Sequence, residues 1–422
     1  MKSLRTTVLE ASVEFVEQPF LAPLVISSGA ITTLSEAIAT VRVRVENREA
    51  TGRGSIYLSD LWAWPDPSLA HARRDAALRS LCRELAARLP DWCGGEPAHP
   101  LELGLRLHHN VCETAAPPPA LARAMCASPF DAAIHDAVGQ ALNLSAFAFY
   151  QDDVPLPSAD PFFDGITACQ AIRTSLLEPR PRLAAWYLVV KSSDRDQLRP
   201  WVQERRYRCF KIKLLGRNAA EDVGRTVEVF RTLRELGASD LRLSVDTNEA
   251  NPDADSVVAY LQKLREADGE AYAALQYLEQ PTGRDITTHR FDWRRAARLK
   301  PVLLDEGLTR LDLMPLAREQ GWSGFALKTC KGHSFALAAA AWAQRHAMSL
   351  SLQDLTNPGL SLIHAALLAA HLPTINGIEL NSPQFTPAAN AHWLPRLKDL
   401  FEPTDGYHRI PHPIPAGLGS RL

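Results

Sequence analysis

Five charged residues each close, or nearly close, a short apolar run: Lys213 in CFKIKLL, Asp246 in LRLSVD, Glu279 in LQYLE, Asp305 in VLLD and Lys328 in GFALK. Carboxylates ending three successive runs suit a hard cation such as Mg²⁺, which takes a few carboxylates and completes its shell with water and substrate. A single acidic residue after a strand is more often the N-cap of the next helix. Three in succession reverse that preference. Lys211 and Lys213 are two apart, so on a strand they face the same side. Two lysines buried together are costly unless the charge is used or the pKa falls, and a lysine of lowered pKa is a general base near neutral pH. Lys328 taken alone is as readily a terminal lysine reaching for solvent.

These residues need a scaffold that gathers distant strand ends. From Thr6 to about Leu58, apolar alternation as in Ala39–Glu46, with turns and a return through Gly52 and Gly54, predicts an antiparallel meander. Helical spacing follows in Leu69–Leu89, Leu101–Val111 and Leu121–Leu142. Strands are then predicted near Ala185–Val190, Cys209–Leu214, Leu241–Asp246, Leu275–Glu279, Val302–Asp305, Gly324–Lys328, Ser349–Gln353 and Gly377–Leu380. Between them lie helical stretches such as Ala220–Leu236, Asp255–Arg265, Leu311–Glu319, Phe335–Arg345 and Leu360–Ala370. That alternation predicts an α/β fold, a TIM-type (β/α) barrel whose strand tips carry the site. The expected division is an α+β capping domain over 1–150, the barrel over 151–400 and a tail over 401–422, with C-terminal residues packing back on the first domain. Asp268–Ala274 reads as a loop insertion.

Taken in order, Lys211-Ile-Lys213, Asp246-Thr-Asn248, Glu279-Gln-Pro281 and Asp305-Glu306-Gly307, followed by Lys328, resemble the KxK, DxN, EQP and DES-type segments of the enolase superfamily. Within it they resemble the muconate lactonizing enzyme subgroup of the mandelate racemase/muconate lactonizing enzyme family. Asp131–Val138 is similar to the helix preceding the family's barrel, so the likeness covers nearly the whole chain. It implies Asp246, Glu279 and Asp305 as ligands of Mg²⁺, with Mn²⁺ as a substitute, and Asn248 and Glu306 supporting them. It implies Lys213 and Lys328 as base and acid on opposite faces of the carbon next to a substrate carboxylate, with Lys211 lowering the pKa of Lys213. The superfamily's common chemistry is a Lys or His base with Mg²⁺ stabilising an enediolate. Racemisation or epimerisation of a small-molecule carboxylate is the expected outcome. A lyase (acid dehydratase) or a cycloisomerase would use the same residues, and a non-catalytic ligand-binding relative would keep only the scaffold.

The departures from that pattern are local. His333 stands where the family has a second glycine; of the two readings, a polar group near the barrel mouth or a cap on the following helix, the cap is preferred. The seventh strand ends on Gln353 and Asp354 without a histidine, and the eighth reads Ile378-Glu379-Leu380-Asn381 in place of Asp-x-Asp. Candidate substrate contacts are therefore Asp354, Glu379, Asn381 and Lys191, together with Tyr57 and Trp62 from the aromatic segment IYLSDLWAW. Phe20–Ser28 is the second lid segment. Exposed aromatics on such a lid stack on substrate or exclude water, unless they pack the domains together.

The bulk composition narrows the partners. Of 422 residues, 46% are apolar and 22% charged, with a formal net charge of -2, so neither a nucleic acid nor an anionic membrane is expected. No segment gives the roughly 18 uninterrupted apolar residues of a membrane span, and the N-terminus lacks the apolar core of a signal peptide. Seven scattered cysteines without CxxC spacing argue against a disulfide framework. A cytoplasmic homo-oligomer is the expectation.

Overall fold

The computed structural model describes residues 4–26, 29–114 and 117–422. Strands β1 (Thr6–Ile26), β2 (Gly29–Val45) and β3 (Arg48–Tyr57) form an antiparallel sheet in that order. The alternation in β2 buries Ala39, Val41, Val43 and Val45 on one face. That face packs on the helix Ala120–Leu142, which is buried from Leu121 to Gly139. Glycines in β3 allow the close approach: a Cβ on Gly52 would lie 2.2 Å from the Ala137 nitrogen, and one on Gly54 2.2 Å from the Pro129 carbonyl oxygen. Two further helices, His71–Ala87 and Pro100–Cys112, complete this layer.

Strands β4 (Arg182–Val189), β5 (Cys209–Lys213), β6 (Arg242–Asp246), β7 (Leu275–Glu279), β8 (Val302–Leu304), β9 (Gly324–Lys328), β10 (Ser349–Gln353) and β11 (Ile378–Glu379) pair in sequence order, all parallel. β11 also pairs with β4, which closes the barrel. A last strand, β12 (Tyr407–Arg409), adds antiparallel to the outer side of β4. The predicted barrel is thus found, each strand within a few residues of its expected ends. Asp268–Ala274 is not a loop: Gly269–Ala274 is a short helix, because the Asp268 side chain accepts from the Ala271 N–H and caps it.

Register decides what the barrel can do. Lys213 pairs with Asp246, Asp246 with Glu279, Lys328 with Gln353 and Gln353 with Glu379. The chemistry-bearing residues therefore end at one level, at the C-terminal mouth.

The two layers are joined through buried carboxylates on helix Ala120–Leu142. Asp131 accepts from the Ser334 N–H at 2.8 Å and its hydroxyl at 2.7 Å. Asp136 accepts from the N–H of Arg53 at 3.1 Å and that of Leu418 at 2.9 Å.

Candidate active site

Lys213 on β5 and Lys328 on β9 stand four strands apart in the closed barrel, hence on opposite sides of its mouth. The intervening strands present Asp246, Glu279 and, just past β8, Asp305. Lys213 donates to Asp246 and, at 2.9 Å, to the Asn248 side-chain oxygen. Lys328 donates to Asp305 Oδ2, with Glu279 Oε1 3.6 Å away. Between them Lys211 donates to Glu279 Oε1 at 2.9 Å and Gln353 Oε1 at 3.2 Å, and lies 3.1 Å from Glu379 Oε2.

Burial dominates the electrostatics, and the lysines then divide the carboxylates into two kinds. Burial alone would raise Asp246 and Asp305. Lys213 and Lys211 hold Asp246 below the ordinary carboxylate range, and Lys328 and Lys331 do the same for Asp305. Glu279 is pushed up to about 7 by burial, against the pull of Lys211 and Lys328. Burial and the neighbouring Asp305 push Glu306 up to about 8. Asp246 Oδ2 sits between the two ammonium groups, bonded to Lys213 and 3.4 Å from Lys211, which offsets their repulsion. Burial would lower Lys211, but Glu279, Glu379 and Asp246 hold it well above the ordinary lysine value.

The capping sheet closes the mouth. Phe20, Leu24, Ile31 and Leu34 from the β1–β2 hairpin, with Leu188 and Leu355 from the barrel, are the apolar wall of a cavity of about 60 Å³. Trp62 donates its indole N–H to Glu306 Oε1 at 2.7 Å, and its ring centre lies 5.0 Å from Lys328 Nζ. That is small beside the roughly 300–1,000 Å³ of most small-molecule pockets.

Residues 193–422, which include seven of the eight barrel strands and every strand-tip residue named above, match the family described as enolase C-terminal domain-like. The chain belongs to the enolase superfamily. Solved structures of superfamily folds align with it almost end to end. The muconate lactonizing enzyme of Pseudomonas fluorescens, complexed with muconolactone, shares 18% identity over 98% of this chain and 96% of its own, with a TM-score of 0.66. The N-succinyl Arg/Lys racemase of Bacillus cereus shares 16% over 98% and 95%, also at 0.66. The dipeptide epimerase of Enterococcus faecalis, complexed with Mg and a dipeptide, shares 15% over 98% and 99%, at 0.64. No curated protein matches in sequence.

In this superfamily member the donor set fits a hard cation by chemistry: three buried carboxylates from adjacent strands, with oxygen donors throughout. As the side chains stand, each carboxylate is turned to a lysine, and among the described residues no three acidic, His or Cys groups converge as a cation would require. An ammonium group holds the place of positive charge beside each one.

The remaining expected residues fall in different places. Asn248 and Glu306 line the cavity, as do Asp354, Glu379, Asn381 and Trp62. Lys191 lies outside it, on a larger groove of about 610 Å³ whose wall shares Lys213 and Asn248. Tyr57 is no exposed lid residue: it is buried against Phe20, ring centres 6.4 Å apart, in the apolar packing between hairpin and barrel. Within Phe20–Ser28, Ser27 and Ser28 lie outside the described residues. His333 does not cap its helix. Gly332 takes that position, and the His333 ring is buried edge-on to His135, 4.7 Å between centres.

Sequence reasoning missed two participants. Lys331, fully buried, donates to the Asp305 carbonyl at 2.5 Å and to Oδ1 at 3.1 Å. Its only signal was a second lysine one turn after Lys328. Arg284, forked on Glu249, also donates to the Trp62 carbonyl at 3.2 Å and so fixes the lid to the mouth. Both members of that ion pair follow recognised segments, Asp246-Thr-Asn248 and Glu279-Gln-Pro281, which was the available signal.

Proposed function

We propose that this enzyme removes the proton from the carbon next to a carboxylate and returns one from the opposite side, racemising or epimerising a small carboxylate substrate. The observation that carries the reading is the placement of Lys213 and Lys328 across the mouth with three carboxylates between them. Asp246, Glu279 and Asp305 would hold Mg²⁺, which supplies Lewis-acid stabilisation of the charge that gathers on the substrate carboxylate as the proton leaves.

The protein's own groups account for the rest. One lysine in neutral form takes the proton, and the other, as an ammonium, supplies one to the opposite face. In the described arrangement both ammoniums are bound by carboxylates, so ligand binding must free one of them before it acts as base. Lys211, surrounded by Glu279, Glu379 and Gln353, stays charged and braces the carboxylates. The hairpin wall and Trp62 exclude water from the reacting carbon.

Incubation with candidate carboxylates in D₂O and Mg²⁺ tests this reading. Deuterium entering at the α-carbon without loss of a group supports it, while formation of a 2-keto acid would assign the chain to dehydration instead. Lys213→Ala and Lys328→Ala are each expected to abolish racemisation. Full turnover by both variants sinks the proposal.

A further inference from the structure

Arg284, in the loop after β7, and Glu249, in the loop after β6, meet beside the barrel mouth. Glu249 accepts from Arg284 Nη2 and, at 2.9 and 3.0 Å, from Nε, and its Oε2 accepts from the Arg284 backbone N–H at 2.8 Å. A guanidinium forked on a carboxylate fixes direction as well as distance, which an ammonium group does not. The Arg284 and Glu249 side chains are 26% and 20% exposed, so salt screens them less than a surface pair. Neither residue lines the catalytic cavity.

Each partner holds a different side of the mouth. Asn248 and Glu249 both take left-handed backbone angles, φ 46° and 68°. Asparagine tolerates that conformation better than most residues, whereas glutamate adopts it only where contacts hold it. Here the Glu249 N–H donates to the Gln280 carbonyl at 3.0 Å, and Arg284 fixes the side chain. The turn so held aims the Asn248 side-chain oxygen at Lys213 Nζ, 2.9 Å away. On the other side, Arg284 Nη1 donates to the Trp62 carbonyl at 3.2 Å. The Trp62 ring stands 5.0 Å from Lys328 Nζ, and its N–H is bound by Glu306.

We infer that Arg284 and Glu249 are positioning residues for the reaction, a single ion pair that sets Asn248 against Lys213 and Trp62 against Lys328 together. They act through those two neighbours, so loss of either partner slows proton transfer on both faces of the α-carbon. The inference rests on the function proposed above for the roles of the two lysines.

Two measurements test it. With 5-fluorotryptophan incorporated, the fluorine NMR line of Trp62 is the one lost in Trp62→Phe, and Arg284→Ala is expected to shift or broaden it. With a carboxylate that exchanges its α-proton in the D₂O screen above, each enantiomer reports on one lysine, because a different lysine takes the proton from each hand. At saturating substrate, Arg284→Ala and Glu249→Ala are each expected to slow exchange of both enantiomers by about tenfold or more, an effect on kcat and not on KM alone. The double variant should be no slower than the slower single one, since the partners act as one unit. An unmoved Trp62 line in folded Arg284→Ala, slowing for one enantiomer only, a change confined to KM, or multiplied losses in the double variant overturns the inference. A Trp62 line that moves while no carboxylate exchanges in the unsubstituted protein leaves the Arg284 hold on Trp62 standing and removes the proton-abstraction reading instead.

Discussion

Trp62 and Glu306, 244 residues apart in the chain, share a hydrogen bond of 2.7 Å between indole Nε1 and carboxyl Oε1, and through it the capping layer touches the residue next to Asp305. Glu306 Oε2 has no partner among the described residues, so Trp62 is this buried group's one side-chain donor there. Trp62→Phe keeps an aromatic ring over Lys328 but removes the donor. It is expected to lower stability by about 1–3 kcal/mol, the cost of an unsatisfied buried polar group, read as a shift of the urea midpoint. An unchanged midpoint would mean that the bond adds nothing to closure of the lid.

Asp246 and Asp305 supply the metal prediction. Mg²⁺ at about 100 times its dissociation constant is expected to raise folding stability by about 2.7 kcal/mol, seen as a higher melting temperature that chelator reverses. Asp246→Asn and Asp305→Asn should each remove that increment. A metal-independent melting curve in the unsubstituted protein would count against Mg²⁺ at these carboxylates.

Lys331 is predicted to matter although it faces Asp305 from behind. Lys331→Met leaves a buried carbonyl and a carboxylate oxygen short of a donor, and is expected to cost at least about 1–3 kcal/mol of stability. Lys331→Arg, which keeps the charge, should recover part of the loss. Equal unfolding midpoints for the Met variant and the unsubstituted protein would dismiss the role.

The scaffold was legible because most barrel strands end on, or just before, a charged residue that breaks an apolar run. Lys213, Asp246, Glu279, Asp305 and Lys328 thereby marked the ends of β5 to β9. What stayed hidden depends on neighbours distant in sequence. Lys331 reads as one more turn lysine until β8 brings Asp305 above it. Tyr57 looks like a lid aromatic until the β1–β2 hairpin folds Phe20 over it. That Lys211 is held well above the ordinary lysine value was not legible either, because sequence shows only the adjacent lysine, whereas the barrel supplies Glu279, Glu379 and Asp246 around the ammonium group. His333 stands at a helix start in the text, but its ring is claimed by packing on His135 and Phe147.

Buried neutral histidines make one contribution to the acid sensitivity of the fold. Burial holds His99, His364 and His408 down at about 4 and His333 well below its ordinary value, with Asp131 opposing the effect at His333 and Asp136 at His364. In the unfolded chain each returns to about 6.5. Between about pH 6.5 and 4 the unfolded state binds protons that the folded state does not, so stability falls as pH falls, by up to about 1.4 kcal/mol per pH unit for each group. Above pH 6.5 this contribution is constant. Glu279 and Glu306, raised by burial, bind protons in the folded state over part of the same range and contribute the opposite slope, so the readout is a difference. Urea midpoints from about pH 7.5 to 5 for the unsubstituted protein and for His333→Phe should diverge as pH falls, the variant losing less stability. Parallel profiles would contradict the neutral burial of His333.

The docking of Leu418 and Ser420 on Asp136 spans 282 and 284 residues. During synthesis, helix Ala120–Leu142 emerges with that carboxylate lacking these donors, and they arrive only after the whole barrel has been made. The first layer thus reaches its final form last. Such long-range closure slows folding and ties the two layers into a single cooperative unit, so a lesion in either should unfold both.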